Sequence, residues 1–173
     1  MAVLPIVLYP DERLEKKAAE VAEITEEMKK LARDMAETMY KAPGVGLAAP
    51  QVGKLVRLVV IDVSEKKDSL YVMFNPVITK KSAELLVGEE GCLSLPGIYE
   101  DVKRSACVSV EYTDAEGRRQ SLDAEGLLAI CVQHELDHLD GVVFIDHLSR
   151  LKKMRDTAKM KKKKAELKKE KEA

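Results

Sequence analysis

His134 and His138 stand four residues apart in Gln133-His134-Glu135-Leu136-Asp137-His138, and a carboxylate, Glu135, follows the first of them. The run Leu127-Leu128-Ala129-Ile130-Cys131-Val132 just ahead is apolar and free of helix breakers, so the segment reads as helix. At ~100° per residue, positions i and i+4 project from one face, a turn apart. Two imidazoles so placed can hold one divalent ion, and the neighbouring carboxylate can reach a water on that ion. This is the H-E-x-x-H arrangement of metallohydrolases. The competing reading, an amphipathic helix with two solvated histidines, leaves both the adjacent Glu135 and the apolar run as coincidences.

A catalytic metal needs a third protein ligand and an open fourth position for water. The metzincin spacing would place that ligand at position 144, which is Phe144. A glutamate further downstream would have to come from the Lys-rich end. His147, just past the helix, is one candidate. Cys131 shares the histidine face at i−3, but it lies about two turns from His138, so its short side chain is expected to line the pocket or the core. Cys92 is the other candidate. Glu90-Gly91-Cys92-Leu93-Ser94 sets its thiol after a glycine between two β-prone segments. A thiolate with two imidazoles makes a soft tetrahedral site suited to Zn²⁺ or Fe²⁺.

The rest of the chain must position these groups. At 173 residues with 46% hydrophobic and 34% charged content, it reads as one soluble globular unit able to bury a core without staples. Residues 1–148 are expected to form the catalytic part, and 149–173 a basic C-terminal helix or tail of the same domain. No apolar run approaches the ~18 residues of a membrane span. The opening Met1-Ala2-Val3-Leu4-Pro5-Ile6 lacks a basic region and a cleavage site, so no export signal is expected. Three well-separated cysteines then predict reduced thiols in a cytoplasm. The net charge of −1 is uneven: residues 151–173 carry ten Lys and Arg155 against four acidic residues, a formal +7, which leaves −8 on residues 1–150. A basic tail on an acidic body points to a polyanionic partner.

Asp11 is a plausible cap for a short helix from which Leu14, Ala18 and Val21 face a core. Thr25 caps a longer one, with Met28, Leu31, Ala32, Met35 and Met39 at helical spacing and Pro43-Gly44 ending it. The methionines read as packing. Gly44-Val45-Gly46-Leu47-Ala48-Ala49-Pro50-Gln51 suits a backbone passing close to a ligand, or a plain loop. Leu55 to Val63 and Tyr71 to Lys80 read as strands, the second interrupted at Asn75-Pro76. Leu95-Pro96-Gly97 is expected to turn the chain. Val102 to Tyr112 and Arg118 to Leu122 read as a hairpin, and the histidine helix spans about Glu125 to Leu139. These elements predict an α+β fold, antiparallel β-sheets packed around the central helix that carries the H-E-x-x-H motif, with a C-terminal helix.

The chain resembles the bacterial peptide deformylases. That family carries G-x-G-x-A-A-x-Q, E-G-C-x-S and H-E-x-D-H in this order, matched here at Gly44 to Gln51, Glu90 to Ser94 and His134 to His138. The resemblance selects Cys92 as third ligand and implies hydrolytic removal of the N-formyl group from the initiator formyl-methionine of nascent polypeptides. It implies that Cys92, His134 and His138 bind one divalent metal, Fe²⁺ in the cell with Zn²⁺, Ni²⁺ or Co²⁺ able to replace it. A metal-bound water would attack the formyl carbon with Glu135 as general base and acid. Gln51 and the Leu93 N–H would hold the oxyanion, while Val45, Gly46 and Gly91 pair with the substrate backbone like an added strand. Cys131 and Leu127 are candidates for walls of a methionine pocket, with core packing as the alternative, and Arg104 for a structural ion pair. The basic tail, including Arg150, Lys152, Lys153, Arg155 and the lysines between 159 and 164, would dock on the ribosome; a monomer is expected. A zinc endopeptidase and a non-catalytic, metal-stabilised RNA-binding module are the rival readings.

Overall fold

A computed structural model describes residues 2–172. Along the chain run α1 (Glu26–Lys41), β1 (Gly46–Ala48), β2 (Leu58–Ile61), β3 (Tyr71–Lys81), β4 (Leu85–Cys92), β5 (Leu95–Ser105), β6 (Cys107–Thr113), β7 (Arg119–Glu125), α2 (Gly126–Leu139) and α3 (Arg150–Glu172). Five strands form one sheet in the order β1-β2-β3-β6-β7, and β4 and β5 form a second, two-stranded sheet. All named pairs are antiparallel. The expected class is the one found.

The layering follows from the side-chain period of a strand, which sends alternate residues to opposite faces. Leu58 and Val60 of β2 pack with Met35 and Met39 of α1, while Val59 and Ile61 pack with Ala129, Val132, Leu136 and Leu139 of α2. Covered on both faces, β2 is fully buried and reads as a continuous apolar run. α1 starts as its sequence directs: the Thr25 hydroxyl accepts a hydrogen bond from the Met28 N–H at 3.2 Å, satisfying an otherwise unpaired donor of the first turn. The predicted interruption of the second strand is also present. Asn75 sits at φ +49°, the register with β6 shifts between Phe74 and Val77, and its amide clips the Val21 backbone at 2.8 Å in both directions.

Three expectations are corrected. The turn between β4 and β5 is Leu93-Ser94, with Cys92 opposite Leu95; Leu95 is fully buried, and Gly97 lies inside β5. Val102 to Tyr112 is two strands. The chain changes partner at Ala106, from β4 to β3 and β7, yet the inward positions Val102, Arg104, Ala106, Val108, Val110 and Tyr112 keep one alternation, so the pattern alone carries no sign of the switch. After Asp11 only a single 3₁₀ turn forms, Glu12–Glu15; Ala18 and Val21 are buried from an extended segment. The C-terminal residues form one continuous helix, anchored by fully buried Met160 in a third apolar cluster with Leu14, Leu95, Phe144 and Ile145. No described helix is long and apolar enough to cross a membrane.

The C-terminal end of α2 is fixed at Gly141, whose φ is +77° and whose added Cβ would lie 2.5 Å from the Glu15 carbonyl oxygen. Gly141→Ala therefore adds a backbone collision to left-handed strain. It is expected to destabilise the protein by well over ~1 kcal/mol, read as a lower denaturant midpoint. Gly117→Ala, at φ +83° in open space, bears the strain alone at ~1 kcal/mol. Equal losses at the two sites would contradict this placement of the helix end.

Candidate active site

α2 is buried over most of its length, nine of its fourteen residues being shielded from solvent. Ala129, Val132, Leu136 and Leu139 enter the sheet core, and the remaining face turns His134, Glu135 and His138 toward the turn that joins β4 to β5. That turn delivers Cys92. The donor atoms of Cys92, His134 and His138 all lie within 4.8 Å of one another, with Cys92 Sγ 3.4 Å from His138 Nε2. His147 is not with them; its Nε2 is bonded to Asp137 Oδ2 at 2.8 Å.

His134 is oriented from behind. Its Nδ1 lies 2.9 Å from Glu90 Oε1; with Glu90 ionised, Nδ1–H is the donor and Nε2 is left for a metal. Burial works against the charge on Glu90, but the hydrogen bonds from His134 and Arg104 outweigh it and hold its carboxyl below the usual carboxylate range. Arg104 grips that carboxylate with both prongs, Nε to Oε2 at 2.8 Å and Nη2 to Oε1 at 2.9 Å. The pair is almost wholly buried, which makes Arg104 the structural ion pair expected of it.

Burial dominates the electrostatics of the centre. Burial pushes the Glu135 carboxyl up to about 7, against the pull of His134. Burial and then the charge of His134 push His138 down to about 3, so that ring is neutral. At His134 burial also opposes charge, yet Glu135 and the hydrogen bonds to Cys92 and Glu90 raise it well above its ordinary range. Glu135 Oε1 is buried with no hydrogen-bond partner. One thiol, two imidazoles and an orphaned carboxylate oxygen in a buried pocket match the donor set of a divalent metal centre with a water beside it.

The remaining predicted residues surround this point. A cleft of about 630 Å³ is lined by Val45, Gly46, Gly91, Leu127, Cys131 and Glu135, among others. Gly46 admits no side chain: a Cβ there would lie 2.5 Å from Glu135 Oε2 and 2.8 Å from Cys131 Sγ. Cys131 belongs both to the cleft and to the core cluster of α2, and Leu127 is more than half exposed at the cleft. β1 ends its sheet and β4 has one partner, so each offers an unpaired edge. Gln51 is buried, its Oε1 accepting from the Ala48 N–H at 3.0 Å and its Nε2 donating to Ser94 Oγ at 3.0 Å and toward Cys92 Sγ at 3.4 Å. Leu93 occupies the turn beside Cys92. The roles of Glu90 and Ser94 as holders of His134 and Gln51 were not assigned from sequence, although both lie in the Glu90-to-Ser94 stretch. Their signal was a polar residue at each end of a motif otherwise small or apolar.

Comparison with known proteins agrees with this geometry. The family model described as polypeptide deformylase matches residues 3–154. A peptide deformylase of Acinetobacter baumannii is 49% identical over 162 residues, 94% of this chain and 92% of that one. One of Nitrosococcus oceani is 53% identical over 155 residues, 90% of this chain and 92% of that one. Among solved structures, the peptide deformylase of Ehrlichia chaffeensis superposes with a TM-score of 0.91 at 39% identity, covering 95% of this chain and 98% of that one. That of Thermus thermophilus does so with 0.86 at 46% identity, covering 97% and 99%.

Arg104→Leu would leave the Glu90 carboxylate buried without its guanidinium, held by His134 alone, an expected cost of ~3–5 kcal/mol. Because Glu90 is held below its ordinary 4.5, its contribution to stability is present above that pH and lost as pH falls through the depressed value. The gap between variant and parent in denaturant unfolding should accordingly be widest near neutrality and narrow below pH ~4.5. A pH-independent gap would contradict the pairing.

Proposed function

The chain belongs to the polypeptide deformylase family, and from that premise we propose how its residues divide the metal-dependent removal of the N-formyl group from formyl-methionyl peptides. Cys92, His134 and His138 are the ligands of one divalent metal, a reading supported by their convergence within 4.8 Å. The bound ion supplies Lewis acidity that brings the pKa of a water toward ~7. A thiolate with two imidazoles suits Fe²⁺ as the cellular metal and accepts Zn²⁺, Ni²⁺ or Co²⁺ in its place.

Glu135 is the proton carrier. It takes a proton from the attacking water and returns it to the amine as the C–N bond breaks, so formate and a free N-terminus are the products. Its carboxyl, pushed up to about 7 by burial, suits both directions of transfer near neutral pH; a nearby cation would lower that value and favour the base. Gln51 Nε2 and the Leu93 N–H hold the formyl oxygen as it turns anionic, one such donor being worth ~3–4 kcal/mol in comparable sites. Ser94 and the Ala48 N–H hold the Gln51 amide, so it enters the reaction already oriented. Val45 and Gly46 on one edge and Gly91 on the other align an extended peptide, with Leu127 and Cys131 beside the methionine side chain. Every relative named above is a deformylase, so an endopeptidase and a non-catalytic RNA-binding module are without support.

Residues 1–148 form the catalytic part and α3 belongs to the same folded unit, which acts as a cytoplasmic monomer. α3 carries twelve of the 29 Lys and Arg residues of the chain, most of them exposed, a basic surface suited to ribosomal RNA near the nascent chain. Because Met160 is fully buried in a core cluster, cutting the chain after Leu148 would damage the body as well as the tail. Charge reversal at exposed Lys161, Lys162, Lys168 and Lys169 tests docking alone. It should abolish salt-sensitive co-sedimentation with ribosomes while activity on short peptides persists; undiminished co-sedimentation would refute the docking role.

Glu135→Ala is expected to keep one equivalent of metal and lower kcat for formyl-Met peptides by a factor of ~10² or more, with unformylated peptides left uncut by parent and variant alike. Retained turnover would remove Glu135 from the mechanism.

A further inference from the structure

Asp137, the fourth residue of the His134-to-His138 motif, and His147 have no role in the scheme above. We infer that they are positioning residues for the metal centre: they hold Arg104 so that Glu90 keeps the His134 ring turned to its metal. The inference rests on the reading of Cys92, His134 and His138 as the ligands.

The contacts run without a gap. The fork of Arg104 made by Nε and Nη2 is spent on Glu90, and its remaining nitrogen, Nη1, donates to Asp137 Oδ2 at 2.7 Å. A planar guanidinium has no torsion of its own to absorb a shift. Whatever moves Nη1 also moves the prongs on Glu90, and Glu90 sets the plane of His134 at 2.9 Å. Asp137 cannot serve as that stop unaided, because its side chain keeps 27% of its exposure and could swing toward solvent. His147 Nε2, 2.8 Å from the same Oδ2, prevents this; with Asp137 ionised the ring nitrogen is the donor.

His147 is itself well placed to do so. It closes the 3₁₀ turn Phe144–His147, whose Phe144 and Ile145 are fully buried, so the backbone beneath it is fixed from inside. The Phe144 ring also lies against His134, centroids 5.9 Å apart and 25° from parallel. One short turn thus restrains the ligand histidine twice, by contact from Phe144 and through His147, Asp137, Arg104 and Glu90. Outer partners of this kind typically change metal affinity 10–100-fold.

The test is Co²⁺ affinity of the full-length protein, measured by competition with a chromophoric chelator, beside thermal unfolding of each metal-free variant. Asp137→Ala is expected to weaken Co²⁺ binding ~10–100-fold and His147→Phe by a smaller factor. His147→Gln, which keeps a donor near Asp137, should recover most of the loss. The double variant should bind no worse than Asp137→Ala alone, since His147 acts only through Asp137. His147→Phe should leave metal-free unfolding unchanged; should Asp137→Ala fail to fold, this variant and its Gln counterpart decide the matter. Parental affinity in His147→Phe, or a loss that Gln does not recover and that tracks metal-free stability, would overturn the inference and leave only a structural tether. Cys92→Ala separates the two readings: if it too binds Co²⁺ as the parent does, the ligand assignment has failed, and the positioning role with it.

Discussion

A helix that buries two imidazoles and a carboxylate inside an apolar core requires a compensating charge, and here that charge is Glu90, held by Arg104. Removing ionisable groups from water costs several kcal/mol each unless geometry returns it. The return comes from charge-assisted hydrogen bonds, two from Arg104 and one from His134, all between 2.8 and 2.9 Å. The same contacts tie β4 and β5 to α2, so the link that makes the burial tolerable also brings Cys92 to the histidines. Site and fold share one interaction here, and neither is separable from it.

The architecture divides its labour by stiffness. β2, buried on both faces, and the apolar stripe of α2 form the rigid element on which His134, Glu135 and His138 stand. The groups proposed to meet a substrate lie at chain edges and turns: Val45 and Gly46 at the start of β1, Gly91 and Leu93 at the end of β4 and the turn after it. An unpaired strand edge is a hazard on an ordinary surface. Beside a cleft it is a template for an extended peptide, and two such edges border the same cleft.

Much of this was legible in the residues. The caps and spacing of α1, the apolar run of α2, the bulge at Asn75 and the three short motifs each carry a local physical signal, and each appears where it was read. What the chain hides is partner choice. The alternation from Val102 to Tyr112 runs unbroken through Ala106 although the strand leaves one sheet for another, because both sheets ask for the same inward face. Met160 looks like one apolar residue among lysines, and only tertiary packing shows that it anchors α3. The turn at Leu93-Ser94 has no Gly, Pro, Asn or Asp to mark it, while Pro96-Gly97, a stronger turn signal, sits inside a strand. Glu90 and Ser94 were visible as members of a motif, but their roles need the distances.

The central claim is that one sulfur and two ring nitrogens, brought from a hairpin turn and a helix, grip a single ion. X-ray absorption at the metal edge of the anaerobically loaded protein tests it directly. For a zinc-loaded sample the account predicts one sulfur at ~2.3 Å and two imidazole nitrogens at ~2.0–2.1 Å, completed by a light atom. A shell with no sulfur would contradict it.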